Sequence, residues 1–347
     1  MSYKPVEILG KFGFGTMSMT WTPTPPPFEQ SIDTLKFVTS HKEFGTKLIN
    51  AGEFYGPDDS NLKLLQQFLK ENSPEENESL IVSIKGGVDK QTLRPDGSKE
   101  SITKSIENIV SYFPKTNRPK LLFEIARVDS RVPYTETIGY ISEFVKNGTI
   151  DGISLSEVGK ESIQAAVKTF PISCVELELS LFSQEVITTG ILEELSKHGI
   201  ALIAYSPLCR GLLTDYTVEN ADTFLASIPQ GDIRHHLDKF QPENFEKNLP
   251  ALKALYKYAH DVKNTSLESL ALSWILKISG SKNFRGIDQV TRILPIPSGS
   301  TKKRVESNLG SLIELTDDDL DAIDKIFKDH PITGLRYNKD LEGTLFQ

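Results

Sequence analysis

A tyrosine and a lysine follow two neighbouring predicted strands and could together perform acid catalysis. Tyr55 lies just after the short apolar run Lys47–Asn50, and Lys85 comes directly after a second run, Leu80–Ile84. In parallel α/β folds, ligands bind at the C-terminal ends of the strands. An ammonium group beside a phenol stabilises the phenolate, which lowers the phenol's pKa and makes it a better proton donor near neutral pH. We therefore predict an acid pair; the alternative is that Tyr55 is a half-buried loop aromatic and Lys85 a solvated strand end.

A second stretch has the residue types of an anion site. Ser298–Thr301 follows the predicted strand Ile293–Ile296 and opens a helix that begins with Lys302, Lys303 and Arg304. Basic side chains in a first helical turn oppose the helix dipole, and a bound anion would relieve that conflict. Free backbone amides at a helix N-terminus also favour a phosphate. The stretch therefore predicts a phosphate site, with an ordinary Ser/Thr helix cap as the alternative.

The elements that must position these groups alternate regularly along the chain. The predicted strands are Phe12–Met17, Lys47–Asn50, Leu80–Ile84, Lys120–Ile125, Gly152–Leu155, Cys174–Leu177, Ala201–Ala204 and Ile293–Ile296. The predicted helices cover residues 28–39, 60–70, 99–112, 134–146, 160–168, 191–198, 249–262, 267–278, 302–312 and 317–327. This rhythm predicts an α/β fold of the (β/α)8 TIM-barrel type. A doubly wound sheet is disfavoured because Gly10, Gly13 and Gly15 do not have the spacing of the dinucleotide fingerprint.

The chain shows neither an internal repeat nor a linker, so we predict a single domain over residues 1–347. Residues 208–248 form a long, weakly patterned insert after the seventh strand. Long loops in compact domains often act as lids over a site. The equal alternative here is that the insert only covers part of the surface and has no such role. Residues 330–347 form a C-terminal tail without a periodic pattern.

Composition excludes several classes of function. The chain has 347 residues, 38% hydrophobic and 25% charged, with a net charge of −8, which predicts a soluble globular protein without a nucleic-acid or membrane footprint. No stretch approaches the ~20 apolar residues of a membrane span. Two cysteines, Cys174 and Cys209, make neither a disulfide framework nor a metal site. We expect a cytosolic location, with the nucleus as an alternative.

Taken together, the motifs resemble the aldo-keto reductase superfamily, and most closely its pyridoxal reductase branch in fungi. The resemblance covers nearly the whole chain, and the joint order of the motifs is more specific than any one of them. It rests on Gly13–Met17, Asn50–Gly56, Ser83–Lys85, Ala126–Asp129, Gly152–Glu157, Ala204–Leu208 and Ile296–Asn308. It implies an NADP(H)-dependent barrel enzyme that reduces carbonyl groups.

The same resemblance implies roles for the residues that meet the substrate. Tyr55 matches the tyrosine that donates the proton, and Lys85 matches the lysine that tunes it. Asn50 stands where the family usually has a catalytic aspartate, and Ala126 stands where it usually has a histidine. The remaining substrate positions are Trp21 and Arg127. By analogy to the family's C-terminal loops, the Arg336–Tyr337 tail is expected to fold over the mouth and touch substrate.

Cofactor positions implied by the resemblance fall into three groups. Expected at the nicotinamide are Ser156, Glu176 and Tyr205, with Tyr205 stacking on the ring and the other two holding the carboxamide. Along the pyrophosphate we expect Ser206, Leu208 and Gly211. The 2′-phosphate and adenine end would be held by Ser298, Ser300, Thr301, Arg304 and Asn308.

Two departures from the family pattern favour the pyridoxal reductase branch. We expect the neutral Asn50 to leave the Lys85 ammonium freer to lower the pKa of Tyr55. The small Ala126 leaves space that could admit a substituted pyridine ring. A third departure is Glu176, which stands where the family usually has a glutamine and can accept a hydrogen bond from the carboxamide but cannot donate one to its oxygen.

We therefore predict NADPH-dependent reduction of an aldehyde, pyridoxal to pyridoxine. The expected partner is this small-molecule substrate, and the sequence predicts no particular oligomeric state. One alternative is a general aldehyde or ketone reductase. A second is an NADPH-binding sensor or partner subunit with weak catalysis. A third, a metal-dependent hydrolase, is disfavoured because His235–His236 lacks the spaced carboxylates that a site needs, so no metal is expected.

Overall fold

Eight parallel strands form a barrel, and helices surround it. The computed structural model describes residues 3–347, so the first two residues of the predicted domain lie outside the described part. The barrel strands, in the order in which they pair, are β1 (Gly13–Gly15), β2 (Leu48–Gly52), β3 (Ile81–Gly86), β4 (Lys120–Ile125), β5 (Gly152–Ser156), β6 (Cys174–Glu178), β7 (Ala201–Tyr205) and β10 (Ile293–Pro295). The predicted (β/α)8 fold is confirmed.

Helices follow the strands in the expected alternation. They are α1 (Met17–Thr20), α2 (Phe28–Ser40), α3 (Ser60–Glu71), α4 (Pro74–Glu78), α5 (Lys99–Ser111), α6 (Tyr134–Lys146), α7 (Lys160–Thr169), α8 (Glu185–Thr188), α9 (Ile191–His198), α10 (Asp215–Glu219), α11 (Ala221–Phe224), α12 (Pro242–Lys257), α13 (Leu267–Ile278), α14 (Lys302–Leu309), α15 (Asp317–Asp329) and α16 (Lys339–Glu342). Amphipathic patterns explain them: α3, for example, buries Leu62, Leu65 and Leu69 against the barrel. Within residues 3–347, no helix is both long and apolar enough to cross a bilayer.

Side chains alternate between the two faces of each strand, and this alternation builds the barrel interior. One set faces the surrounding helices and joins the large apolar core. The other set faces inward, where a separate apolar cluster fills the lower part of the barrel. That inner cluster contains Ile8, Leu48, Ile81, Leu122, Cys174, Ala201, Ile203, Leu294 and Ile296. The next inward positions toward the C-terminal ends of the strands are mostly polar, as the site requires.

Two strand boundaries and one additional element differ from the sequence prediction. β2 continues through Ala51 and Gly52, which were predicted as loop, because both residues pair with β3. β3 ends at Gly86, so Lys85 lies inside the strand rather than after it. In addition, a β-hairpin that the sequence did not predict, β8 (Lys282–Phe284) with β9 (Ile287–Gln289), precedes the last barrel strand.

The insert 208–248 is more ordered than its pattern predicts. It contains the short helices α10 and α11, several 3₁₀ turns and the first residues of α12. α12 begins at Pro242, earlier than predicted, with proline in the first turn where no backbone donor is needed.

The C-terminal tail packs against this insert. Asn248 of α12 donates to the Thr333 carbonyl at 3.0 Å and accepts from the Thr333 amide at 2.8 Å. The Asp238 amide donates to the Tyr337 carbonyl at 2.8 Å, and Lys239 donates to the Leu335 carbonyl at 3.3 Å. These contacts hold the tail over the C-terminal ends of the strands.

The barrel closes where β1 and β10 lie side by side. β1 pairs with β2, and β10 pairs with β7; among residues 3–347 no backbone ladder joins the two strands to each other. Gly13 makes the approach possible, since a Cβ there would lie 2.6 Å from Cγ2 of Ile296. We call this contact the barrel seam.

Candidate active site

Four barrel strands each contribute one polar side chain to a buried layer above the inner apolar cluster. Asn50 comes from β2, Lys85 from β3, Glu124 from β4 and Glu176 from β6, and all four are at most 5% exposed. Each lies an even number of residues from an inward apolar residue of its own strand. The alternation of the strands therefore aims all four into the barrel.

These four side chains form a closed network. The Lys85 ammonium lies 2.6 Å from Oε1 of Glu176, 3.0 Å from Oε1 of Glu124 and 3.2 Å from Oδ1 of Asn50. The Asn50 amide donates to Oε2 of Glu124 at 2.9 Å and also to Oε2 of Glu176. Ser83 donates a further hydrogen bond to Oε2 of Glu124 at 2.8 Å.

The expectation that the neutral Asn50 leaves the Lys85 ammonium freer to lower the pKa of Tyr55 is wrong. Two buried carboxylates, Glu124 and Glu176, contact its ammonium instead. Burial opposes the charged form of Lys85, but the charges of Glu124 and Glu176 raise its pKa well above the ordinary value. Lys85 is therefore a permanent cation at physiological pH.

Tyr55 lies directly beside this cation. The Lys85 ammonium is 5.8 Å from the centroid of the tyrosine ring. Burial, joined by the charges of Glu176 and Glu124, raises the pKa of Tyr55 to about 12, while the charge of Lys85 and a hydrogen bond with it pull the pKa down. The predicted net lowering is thus wrong, although the predicted influence of Lys85 is present. The phenol stays protonated at neutral pH and can donate to a stronger base.

An aromatic cluster fixes the tyrosine ring. Trp21 stacks on Tyr55 with ring centroids 5.5 Å apart, and Phe54 meets the same ring edge-on at 5.3 Å. Gly52 leaves room for the ring, since a Cβ there would lie 2.6 Å from it. Trp21 is itself 38% exposed, so it presents one face at the mouth of the barrel, where it was predicted to meet substrate.

Hydrogen bonds under the loop hold the backbone of Tyr55. Thr20 donates its hydroxyl to the Tyr55 carbonyl at 2.8 Å. Asn61, fully buried at the start of α3, donates to the Thr20 hydroxyl at 2.8 Å and accepts from the Gly52 amide at 3.2 Å. Its oxygen also accepts from the Thr16 hydroxyl at 3.1 Å. The backbone of Tyr55 is therefore held by a chain of hydrogen bonds that joins three separate parts of the sequence.

The other predicted substrate positions lie at the end of β4. Ala126 is buried and adds little volume. Arg127 donates to the Ala126 carbonyl at 2.6 Å. Burial lowers its pKa, but the neighbouring ionisable groups, Tyr337 first and Glu157 next, raise it overall. Arg127 therefore places a fixed positive charge close to Tyr55, Tyr205 and the tail.

At the predicted nicotinamide side, the structure brings Ser156 and Tyr205 to adjacent parts of the rim. The Ser156 hydroxyl is buried and has no hydrogen-bond partner among residues 3–347, as expected for a group that binds a ligand such as a carboxamide. The Tyr205 hydroxyl donates to Oε1 of Glu157 at 2.7 Å. Glu157 and Ser206 directly follow their strands with φ of +53° and +48°. Such left-handed backbone conformations concentrate at functional sites.

Glu176 makes different contacts from those that the carboxamide role implies. Both of its oxygens face Lys85 and Asn50 rather than Ser156, which lies beside it in register on β5. Burial raises the pKa of Glu176 to about 8, and the charge of Glu124 adds to the rise. Its role toward the cofactor stays a prediction, while its contact with the lysine is a feature of the structure.

The tail inserts a charged side chain into this rim. Arg336, fully buried, donates to Oε1 of Glu157 at 2.7 Å and lies 3.4 Å from Oε2 of Glu178. The Tyr337 hydroxyl accepts from Arg210 at 2.9 Å and lies 3.3 Å from the Tyr205 hydroxyl. The tail is therefore part of the wall of the site.

The predicted phosphate stretch lies at the helix N-terminus where the sequence placed it. Thr301 caps α14 by accepting from the Arg304 amide at 3.2 Å, and Asn308 donates to the Ser298 carbonyl at 3.3 Å. The Ser300 carbonyl is held by Gln30. Within residues 3–347 the Arg304 side chain makes no hydrogen bond or ion pair, and it is exposed. These donors fit a phosphate group.

The loop after β7 carries the residues predicted to lie along the pyrophosphate. Leu208 leads into a tight turn, Cys209–Gly211, in which Gly211 has φ of +100°. Arg210 also has a left-handed φ, of +54°, which turns its side chain toward Tyr337. The loop is thus shaped by conformations that glycine adopts readily and other residues adopt at a cost.

Several residues of the site have roles that the sequence did not predict. Glu124 gave a usable signal, since it is a charged residue in the middle of the apolar run that follows Lys120 in β4. Glu157 was expected only as a residue at a strand end, without a role, and Arg336 only as part of a tail that folds over the mouth, without its contacts to Glu157 and Glu178. His235, by contrast, contacts the Pro229 carbonyl, and the described residues contain no cluster that could hold a metal ion.

Comparisons with known proteins agree with this geometry. A model of the aldo/keto reductase family matches residues 11–328. The chain is 39% identical over 343 residues to "Probable pyridoxal reductase 2" of Schizosaccharomyces pombe, covering 97% of each chain. It is 36% identical over 341 residues to a Saccharomyces cerevisiae protein provisionally named a pyridoxal reductase, covering 94% of this chain and 95% of that one.

Solved structures show the same fold. A glycerol dehydrogenase of Gluconobacter oxydans superposes with a TM-score of 0.77 at 22% identity, covering 96% of this chain and 97% of its own. An aldo-keto reductase of Klebsiella pneumoniae, solved in complex with NADPH, has a TM-score of 0.65 at 17% identity and covers 97% and 99%. The family match over most of the chain and the close sequence relatives lead to one conclusion: the chain belongs to the aldo/keto reductase family of oxidoreductases.

Proposed function

We propose that this chain uses NADPH to reduce an aldehyde, and that the aldehyde is pyridoxal, which becomes pyridoxine. The observation that carries the reductase function is Tyr55, a buried and protonated phenol held against the Lys85 ammonium at the C-terminal mouth of the barrel. Support for the substrate comes from the two fungal relatives whose names assign pyridoxal reduction.

The residues of the chain supply position and a proton. NADPH, when bound, supplies the hydride to the carbonyl carbon. Tyr55 donates its proton to the carbonyl oxygen, where negative charge develops, and Lys85 stabilises the phenolate that remains. The partnerless Ser156 hydroxyl fits the carboxamide, and the Tyr205 ring offers a stacking face beside it. The exposed Arg304 at the α14 N-terminus fits a 2′-phosphate.

The space at Ala126 supports an aromatic substrate. Ala126 stands where the family pattern has a larger side chain; it is buried, and its amide donates to the Gly86 carbonyl at the end of β3 at 3.1 Å. Trp21 provides a flat apolar face above Tyr55. A substituted pyridine ring matches such a pocket better than a short aliphatic aldehyde does, because it can stack and because it needs the volume.

The experiment that tests the function is NADPH consumption by the purified chain with pyridoxal and with a panel of simple aromatic and aliphatic aldehydes. We expect kcat/KM for pyridoxal to exceed that for every simple aldehyde. Equal turnover across the panel would show a general aldehyde reductase instead. NADPH oxidation in a single turnover without multiple turnovers would show a sensor with weak catalysis.

The variant Ala126→His tests the proposed pocket. The imidazole would occupy the space that we assign to the pyridine ring, so turnover of pyridoxal should fall while that of a small aliphatic aldehyde is kept or rises. Undiminished turnover of pyridoxal would contradict the assignment of this space.

A further inference from the structure

The polar layer around Lys85 has an unusual distribution of charge. One cation, Lys85, touches Oε1 of both Glu124 and Glu176. One neutral amide, Asn50, touches Oε2 of both. The two carboxylates therefore lie between two donor groups, and each donor group bridges both of them. All four side chains are buried, so water does not screen these contacts strongly.

The donor count explains why position 50 holds an amide. The Asn50 nitrogen has two hydrogens, and each carboxylate takes one of them, while its oxygen accepts from Lys85 at 3.2 Å. An aspartate at this place would have no hydrogen to donate. It would also bring a third negative charge against two carboxylates in a buried layer, where like charges repel strongly. Asn50 and the glutamates are thus chemically interdependent.

We propose that Glu124 and Glu176 are positioning residues for Lys85, and that the negative charge which holds this lysine comes from β4 and β6 instead of from β2. The proposal rests on the proposed function, because it concerns how the assigned lysine is held against the assigned acid. It assigns Glu176 to the lysine rather than to the nicotinamide, and it assigns a role to Glu124.

The charge balance supports the same arrangement. The ionisable groups that face the layer are Tyr55, Lys85, Glu124, Glu176 and, one inward position below on β6, Cys174. Burial raises the pKa of Glu176 to about 8, and the charge of Glu124 adds to this rise. The Lys85 ammonium, 2.6 Å from Glu176 and 3.0 Å from Glu124, is the cation that offsets the charge of these buried carboxyl groups.

This arrangement predicts that the amide and the acid can be exchanged between β2 and β6. In the double variant N50D/E176Q the new carboxylate lies on β2, the glutamine amide can donate to it, and the glutamine oxygen accepts from Lys85. Position 50 still loses its donor to Oε2 of Glu124, as it does in N50D, so the exchange restores the contacts with position 176 and not the contact with Glu124. Each single variant breaks the pattern. E176Q removes a carboxylate from Lys85 and sets two amides side by side, and N50D removes two donors and adds a charge.

The test measures wild type, N50D, E176Q and N50D/E176Q with NADPH and pyridoxal, together with their urea unfolding. We expect each single change to lower kcat at least tenfold and to shift the pH dependence of kcat. We expect the double variant to have a higher kcat than either single variant and to unfold at a higher urea concentration than either, because contacting sites are coupled. E161Q, which removes an exposed carboxylate at the start of α7, should match wild type throughout.

Other outcomes would overturn the proposal. If E176Q keeps its kcat and pH profile but binds NADPH more weakly, Glu176 serves the cofactor as the family resemblance implies. If the double variant is no more stable and no more active than the single variants, the residues act independently. The unfolding series also separates the two proposals: should wild type fail to oxidise NADPH with any aldehyde, the proposed function fails, while recovered stability in the double variant would still establish the exchange.

Discussion

At the scale of single residues, the proposed reaction depends on the Tyr55 phenol, which burial keeps protonated and which would donate its proton to the oxygen of the reduced carbonyl group. A phenol with a pKa raised to about 12 is nearly all protonated at neutral pH. A developing alkoxide is more basic still, so proton transfer to it is favourable. Lys85 matters after the transfer, when it faces the phenolate.

The variant Tyr55→Phe removes that proton and keeps the ring. We expect kcat to fall by about 10²–10⁴-fold, the range of general acid catalysis, while NADPH binding measured by fluorescence titration is unchanged. Tyr140→Phe, which removes a hydroxyl that contacts Glu136 on the outer helix α6, should leave both quantities alone. Surviving turnover in Tyr55→Phe would mean that another group is the acid.

Gly52 controls where the phenol lies. A Cβ at this position would come within 2.6 Å of the Tyr55 ring, so Gly52→Ala should displace the ring, lower kcat and cost about 1–3 kcal/mol of stability, as overpacking does. Gly139→Ala in α6 is the matched control, since its Cβ would meet nothing within 4 Å. It should keep kcat and gain up to about 1 kcal/mol from helix propensity. Equal behaviour of the two variants would rule out the proposed steric control.

At the scale of elements, the barrel mouth is completed by segments that are far apart in sequence. β4 supplies Glu124, the tail supplies Arg336, and α12 of the insert fastens the tail through Asn248. The insert is therefore neither a free lid nor simple decoration; it is the support on which the tail rests.

Asn248→Ala should release the tail. It removes two hydrogen bonds between the Asn248 side chain and the part-buried backbone of Thr333, each of which contributes about 0.5–1.5 kcal/mol. We expect limited proteolysis to cut the variant after residue 330 faster than wild type. Lys253→Ala, at an exposed position of the same helix, should be cut at the wild-type rate, and a wild-type rate for Asn248→Ala would show that the tail is held by other contacts.

At the scale of the whole molecule, some of the stability depends on buried carboxylates staying ionised. Hydrogen bonds from Arg131 lower the pKa of Asp129 to about 2 despite its burial, and the Gly97 amide adds to the effect. Because this pKa lies below the value of about 3.9 in an unfolded chain, the contribution is fully present above pH 4. It is lost as the pH falls toward 2.

Asp129→Asn should therefore lower Tm at pH 7, and the difference from wild type should shrink steadily between pH 4 and pH 2. Thermal unfolding across this range, followed by circular dichroism, measures it. The exposed Asp321→Asn on α15 should show little difference from wild type. A gap for Asp129→Asn that stays constant down to pH 2 would show that its ionisation is not the cause.

Much of this molecule could be predicted from local patterns, and the remainder depended on contacts across the barrel. β4, α6, α9 and α13 have the predicted bounds because apolar periodicity and flanking turn residues define them. The meeting of Tyr55 with Lys85 followed from strand ends converging. The partners of Lys85 did not, because Glu124 lies one strand away and Glu176 three strands away from it, and only the register of the barrel brings them together. The position of the tail over the mouth was expected by analogy to the family, but the contacts of Arg336 with Glu157 and Glu178 are tertiary and no local pattern records them.

The barrel seam has a consequence for how the protein responds to its cofactor. The two strands that meet there are three residues long, whereas the others have five or six, so the cylinder should open first along this line when it is warmed or denatured. The chain immediately beyond β10 is Ser298–Thr301, the stretch proposed to grip the phosphate end of the dinucleotide. NADPH lying across the mouth, from Ser298–Thr301 after β10 to Tyr55 after β2, would contact both sides of the barrel seam and hold them together. Amide hydrogen exchange in Gly13–Gly15 and Ile293–Pro295 should then slow on adding NADPH by a larger factor than exchange in β4, on the opposite wall.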